Sequence, residues 1–298
     1  MRSTYRLDRF SFLAITNILI IIAVSFVIYI LFFYSTPIFL RESIQFISTS
    51  VWNPSKEEYG ILFAIGGTFT TATLAIAISL IFSISASIVI VEIVPKKLRN
   101  LLSMAIDIAA AIPSVIYGLW GLLILSPILK TYIMDPLYSL GLGAILGTPR
   151  GLGTSIFSAS IVLAIMVTPY ATSIIRERLA SIPIHIREAL ISLGLTKWEF
   201  IKMEISYIKR TILTAMIVAY GRAVGETAAV AMVIGNMVMP DFYKIFNPGY
   251  TISSLIANQY PNAEAYRYMV NAIFGSALIL FIISLAINIF LHIYGEKH

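Results

Sequence analysis

The sequence predicts an all-α, polytopic membrane protein of about six transmembrane helices. Three observations predict it: 58% of the residues are hydrophobic, only 12% are charged, and the apolar residues gather into runs long enough to cross a bilayer. Soluble domains are about 45–50% apolar and about 25% charged. A chain with half that charge has too little polar surface to face water, and lipid must cover the remainder. Mean hydropathy, at +0.89, agrees.

A helix crosses about 30 Å of hydrocarbon with roughly 20 mainly apolar residues. Six segments have that length: 11–34, 68–94, 101–128, 154–175, 211–234 and 269–293. The first follows Arg2, Arg6 and Arg9, and its apolar run exceeds the core of a cleaved signal peptide, so a retained anchor helix is expected. The third contains Pro113, which removes a backbone hydrogen bond and is expected to kink or break that helix. Residues 1–67 read as the anchor helix and first outer loop, and 68–298 as the transmembrane core, with a cytoplasmic loop at 176–210.

Orientation follows from the basic residues. One side carries 14 Lys and Arg, seven of them between Arg176 and Arg210, and the opposite side carries 6. Basic loops stay inside, which places both termini in the cytoplasm. The net charge of +6 is accounted for by these loops and gives no reason to invoke nucleic acid. With no cysteine and three scattered histidines, His185, His292 and His298, disulfides and thiolate or imidazole metal sites are not expected. No Gly-x-x-x-x-Gly-Lys-[Ser/Thr] phosphate loop is present, so nothing here binds nucleotide.

The loop 176–210 has a helical pattern of its own. After Pro183 come Ile186, Ala189, Leu190 and Leu193 on one face, then Gly194, then Trp198, Ile201 and Ile205. From pattern alone this is either an amphipathic pair lying on the membrane or a docking element for a cytoplasmic partner.

Ionisable residues inside spans cost about 2.5–3.5 kcal/mol at a helix centre, so each calls for a function. Asp107 lies in the third segment, and Arg222 and Glu226 in the fifth. In a continuous helix Arg222 and Glu226 share a face at i,i+4, beside a Gly221/Gly225 stripe that admits a close neighbour. Two readings stand. Arg222 either forms a buried ion pair with Glu226 or Asp107, or offers its planar guanidinium to an oxyanion crossing the membrane, with Glu226 holding its geometry.

Family resemblance adds to these readings. Glu188-Ala189-Leu190 with Gly194 resembles the Glu-Ala-Ala-x-x-x-Gly loop of prokaryotic ABC importer permeases, whose coupling helix fits a cleft in the ATPase subunit. Where that family ends the motif with Ile-x-Leu-Pro, this chain has Glu204-Ile205-Ser206-Tyr207. The segment from Arg222 to Asn236 is similar to the Arg-Ala-x-Gly-Glu-Thr…Ile-Gly-Asn segment of the phosphate permease family PstC. Trp52-Asn53-Pro54, the stretch 111–121 and the stretch 251–258 agree, and Asp107 falls where the family carries an acidic residue. PstA permeases share Gly-Glu-Thr, but the Ile-Gly-Asn ending and the outer Trp-Asn-Pro favour PstC.

The resemblance implies a MetI-like fold and one half of the path of a phosphate importer in the cell membrane. Its partners would be a PstA permease, two copies of the ATPase PstB and the extracellular binding protein PstS, with no cofactor. Arg222, Glu226 and Asp107 would line the substrate path, and Glu188, Ala189 and Gly194 would couple to the ATPase. Molybdate, tungstate and sulfate remain alternative cargoes. An ion-coupled carrier lacks a use for the Glu-Ala-Leu loop, and an aspartyl intramembrane protease lacks its Gly-x-Gly-Asp signature. A membrane scaffold leaves the Arg222 cluster unexplained.

Overall fold

The structure, a computed structural model, describes residues 4–295. Its elements in order are α1 (Thr4–Glu42), a hairpin of β1 (Trp52–Asn53) and β2 (Glu58–Tyr59), then α2 (Leu62–Ile93) and α3 (Lys96–Ala111). There follow α4 (Ser114–Leu146), α5 (Ile156–Ala180), α6 (Ile184–Ser192) and α7 (Lys197–Tyr207). The chain ends with α8 (Lys209–Gly225), α9 (Ala228–Val233), α10 (Ile252–Gln259) and α11 (Met269–Gly295).

Among the described residues, five helices are long and apolar enough to cross a membrane: the Thr16–Glu42 part of α1, then α2, α4, α5 and the Met269–Phe290 part of α11. The expected segment 211–234 is divided instead of continuous. α8 stops at Gly225 and Glu226 is extended (φ −68°, ψ 127°). The expected segment 101–128 is also divided. Ile112 is extended (φ −63°, ψ 131°) because Pro113 keeps the preceding residue out of the helical region. The span therefore begins at Ser114, and α3 is a separate amphipathic helix.

α4 carries two prolines, each preceded by a wide turn. The turns Gly121–Leu125 and Lys130–Met134 precede Ser126-Pro127 and Asp135-Pro136. A wide turn absorbs the ring that would otherwise strike the carbonyl one turn back. The helix then bends at Gly141, where φ is +86°.

The core forms where α2 lies along α5. Small residues make this possible: Thr68, Thr71, Ala72, Ala75, Ser79, Ser83 and Ser87 are buried at a spacing of three or four along α2. Such a stripe lets two helix backbones approach closely. Ser87 Oγ donates to the Ser83 carbonyl at 2.7 Å and, across the interface, to Thr172 O at 3.2 Å. A second cluster joins Ile38 and Phe46 to Tyr59 and Phe63, and these to Tyr250, Leu255 and Met269. The hairpin is fastened there by Tyr59, whose hydroxyl donates to Arg267 O at 2.8 Å.

Candidate functional site

Two broken helices face each other. α4 begins just after Pro113 and α9 just after Glu226, and the two pack against one another at Gly118. A Cβ at Gly118 would stand 2.8 Å from Ala229 Cα, so only glycine permits this approach. Arg222 sits in the last turn of α8 beside the break, exposed on the face of the single chain. Its guanidinium lies over the Tyr170 ring at 5.5 Å, a cation–π contact, and within electrostatic reach of Tyr117. Among the described residues no carboxylate comes within 4.0 Å of it to form an ion pair.

Glu226 does not share a helical face with Arg222, because the helix ends one residue earlier. Its Oε1 instead accepts from the Ala229 amide at 3.3 Å, capping α9, and its carbonyl accepts from Ser253 Oγ at 2.7 Å. Asp107 is likewise separate from Arg222. It accepts from Ser173 Oγ at 2.6 Å and from Arg176 Nη2 at 3.2 and 3.3 Å, while Arg176 Nη1 donates to Ser103 O at 3.1 Å. This ion pair ties α3 to the C-terminal half of α5.

Of the three charged residues singled out in the sequence, Arg222 and Glu226 thus lie on either side of one helix break, and Asp107 has another partner. Tyr170 and Arg176 escaped sequence reasoning. Their only signal was a helical spacing, Ser173 lying about one turn and Arg176 nearly two turns beyond Tyr170 on α5.

The loop after α5 forms two short helices. Gly194 turns the chain between them with φ +68°, a conformation costly for any residue with a Cβ. Thr196 and Glu199 form a capping box that starts α7, and the Thr196 hydroxyl and amide hold the Glu199 carboxyl below the usual range. Ile186 packs inward, whereas Glu188, Ala189, Ile191, Leu193 and Trp198 are exposed. The apolar face read from spacing is therefore split, with Ala189 and Leu193 turned outward beside Glu188.

Residues 89–296 match the family described as binding-protein-dependent transport system inner membrane component. A protein of Methanocaldococcus jannaschii, named probable phosphate transport system permease protein PstC, is 41% identical over 95% of this chain and 92% of its own length. A phosphate transport system permease protein PstC of Xylella fastidiosa is 38% identical over 83% of this chain and 76% of its own. Among solved structures, a bacterial alginate ABC transporter in complex with alginate pentasaccharide-bound periplasmic protein superimposes with a TM-score of 0.55. The identity is 16% and 94% of each chain is covered, a likeness of fold.

Proposed function

The chain belongs to the inner membrane components of binding-protein-dependent transport systems, and from that premise we propose that it is the permease subunit of an ATP-driven phosphate importer. The substrate follows its relatives, which are named phosphate permeases over most of both chains. The observation that carries the site is Arg222: a guanidinium at a helix break, exposed, with an aromatic ring for company and, among the described residues, no carboxylate in ion-pair contact. Such a charge is costly against lipid. It is tolerated where a second subunit and a water-filled path cover it, and there its planar fork suits a tetrahedral oxyanion.

Glu226 supports this path by starting α9 and holding the chain open beside Arg222. Asp107 contributes to the path indirectly, by fixing α3 against α5. Glu188, Ala189 and Gly194 form the ATPase contact, Gly194 supplying the turn that presents the other two. The partners that fit are a second permease of the PstA type, ATPase subunits of the PstB type and a PstS-type binding protein, the ATPase site lying on another chain. The chain is a multi-pass membrane protein; the distribution of basic residues supports cytoplasmic termini. α1 and the hairpin serve as anchor and outer loop, and the core begins with α2 at Leu62, ahead of the boundary at 68 expected from the sequence.

The test is uptake by the reconstituted complex. Arg222→Ala abolishes phosphate transport while the complex still assembles, and Arg222→Lys retains part of it. Wild-type uptake by Arg222→Ala removes Arg222 from the path. Binding-protein-dependent stimulation of ATP hydrolysis by molybdate, tungstate or sulfate, and not by phosphate, refutes the substrate.

A further inference from the structure

Arg187, on the helix that carries Glu188 and Ala189, touches three other elements at once. Nη1 donates to Glu92 Oε1 at 2.9 Å, in the final turn of α2. Nη2 donates to Leu179 O at 2.8 Å, at the C-terminal end of α5. The same nitrogen lies 3.1 Å from Glu204 Oε1 on α7. Glu204 is 0% exposed, and its carboxylate oxygens find no well-formed hydrogen bond among the described residues, so Arg187 offsets part of the cost of its burial.

Ile186 packs inward from α6, and a cavity of about 480 Å³ lies alongside, lined by Glu92, Ile184, Arg187, Ile191, Lys197 and Phe200 among others. The charged fork of Arg187 thus joins α6 to three other elements beside an open groove.

We propose that Arg187 is a positioning residue that locks the helix bearing Glu188 and Ala189 to the ends of α2 and α5 through Glu92, Leu179 and Glu204. Motion of that helix is thereby transmitted to two membrane-spanning helices. The role in transport rests on the permease reading above, but the mechanical link does not. The guanidinium uses two separate nitrogens, Nη1 on Glu92 and Nη2 on Leu179 and Glu204, a spread that the one nitrogen of a lysine does not offer.

The chain has no cysteine. Val89→Cys, 41% exposed at the end of α2, and Ile191→Cys, 67% exposed on α6, therefore accept spin labels on the purified chain, before assembly, without background. In the assembled complex, pulsed electron resonance should give one narrow distance distribution, and Arg187→Gln should broaden it. In vesicles containing the same complex, Arg187→Gln should raise the ATP consumed per phosphate moved by about fivefold or more, the lower end of coupling between distant sites. If Arg187→Gln does not assemble, Glu92→Gln, which removes one arm of the fork, takes its place with the same two expectations. An unchanged distance distribution overturns the proposal, and so does an unchanged ATP-to-phosphate ratio. Should the unaltered complex move no phosphate, the functional reading fails, while the distance measurement still decides whether Arg187 holds the helix.

Discussion

Asp107→Ala tests whether the acid of α3 is a strut. Its carboxylate is about half exposed, but the Arg176 side chain it neutralises is only 10% exposed. Removing one partner of a fully buried pair costs about 3–5 kcal/mol, and a fully exposed pair is worth about 0–1 kcal/mol. Here the stranded guanidinium keeps the Ser103 carbonyl at 3.1 Å and some access to water at the vacated position. The expected loss is therefore about 2 kcal/mol, between those limits. For a chain of this size that lowers the melting temperature by roughly 4–8 °C. The assay is tryptophan fluorescence of the detergent-solubilised protein, at one heating rate because unfolding of such proteins is commonly irreversible. Adding Arg176→Met to Asp107→Ala should recover at least part of the loss, since no buried charge is then left unpaired. If Asp107→Ala melts with the unaltered protein, or if the two losses simply add, the strut reasoning is wrong.

Gly67→Ala should be more damaging than its size suggests. Its Cβ would stand 2.0 Å from the Tyr250 carbonyl oxygen, and backbone must move, at about 1–3 kcal/mol of overpacking; a melting temperature equal to that of the parent contradicts this. Gly194→Ala meets no atom within 4 Å and bears only the strain of a positive φ, about 1 kcal/mol. It should melt slightly early, and Gly194→Asn should melt closer to the parent. Burial, with Glu92 adding to it and Arg187 opposing, pushes the Glu204 carboxyl up from 4.5 to about 7. The folded state then holds a proton that the unfolded state has released, so Glu204's contribution to stability declines as pH rises from about 4.5 through 7. The pH dependence of the melting temperature should flatten across that window in Glu204→Gln.

The spans and the motifs were legible because lipid and helix geometry impose them over twenty residues at a time. Pro113 announced the first break correctly, through a rule that acts on its immediate neighbour. The break at Glu226 was not legible. Gly225-Glu226-Thr227 sits in an apolar run whose pattern continues through it, and the extended residue is fixed by tertiary contacts, Ser253 Oγ on its carbonyl and the Ala229 amide on its side chain. Expecting Arg222 beside Glu226 therefore followed from assuming an unbroken helix. The partners of Asp107, Arg187 and Glu204 were hidden for another reason: each lies on a different helix, 69 residues away in the case of Arg176 and 95 in that of Glu92. The Gly194 turn was read from local sequence because a positive φ is a local demand, whereas Glu188 was singled out through the family resemblance.

α1 rests chiefly on α11. Asn271 Nδ2 donates to Tyr34 O at 2.7 Å, Tyr34 stacks on Phe274 with centroids 4.9 Å apart, and Gly275 leaves room for Ile38 and Phe46. α1 is thus matched to a helix that follows it at a distance of 237 residues. While some 230 intervening residues are synthesised, at about 5–20 residues per second, α1 must wait in the bilayer for tens of seconds with its docking face against lipid. Docking of α1 accordingly waits for α11, and a ribosome stalled before residue 271 leaves that helix without its mate.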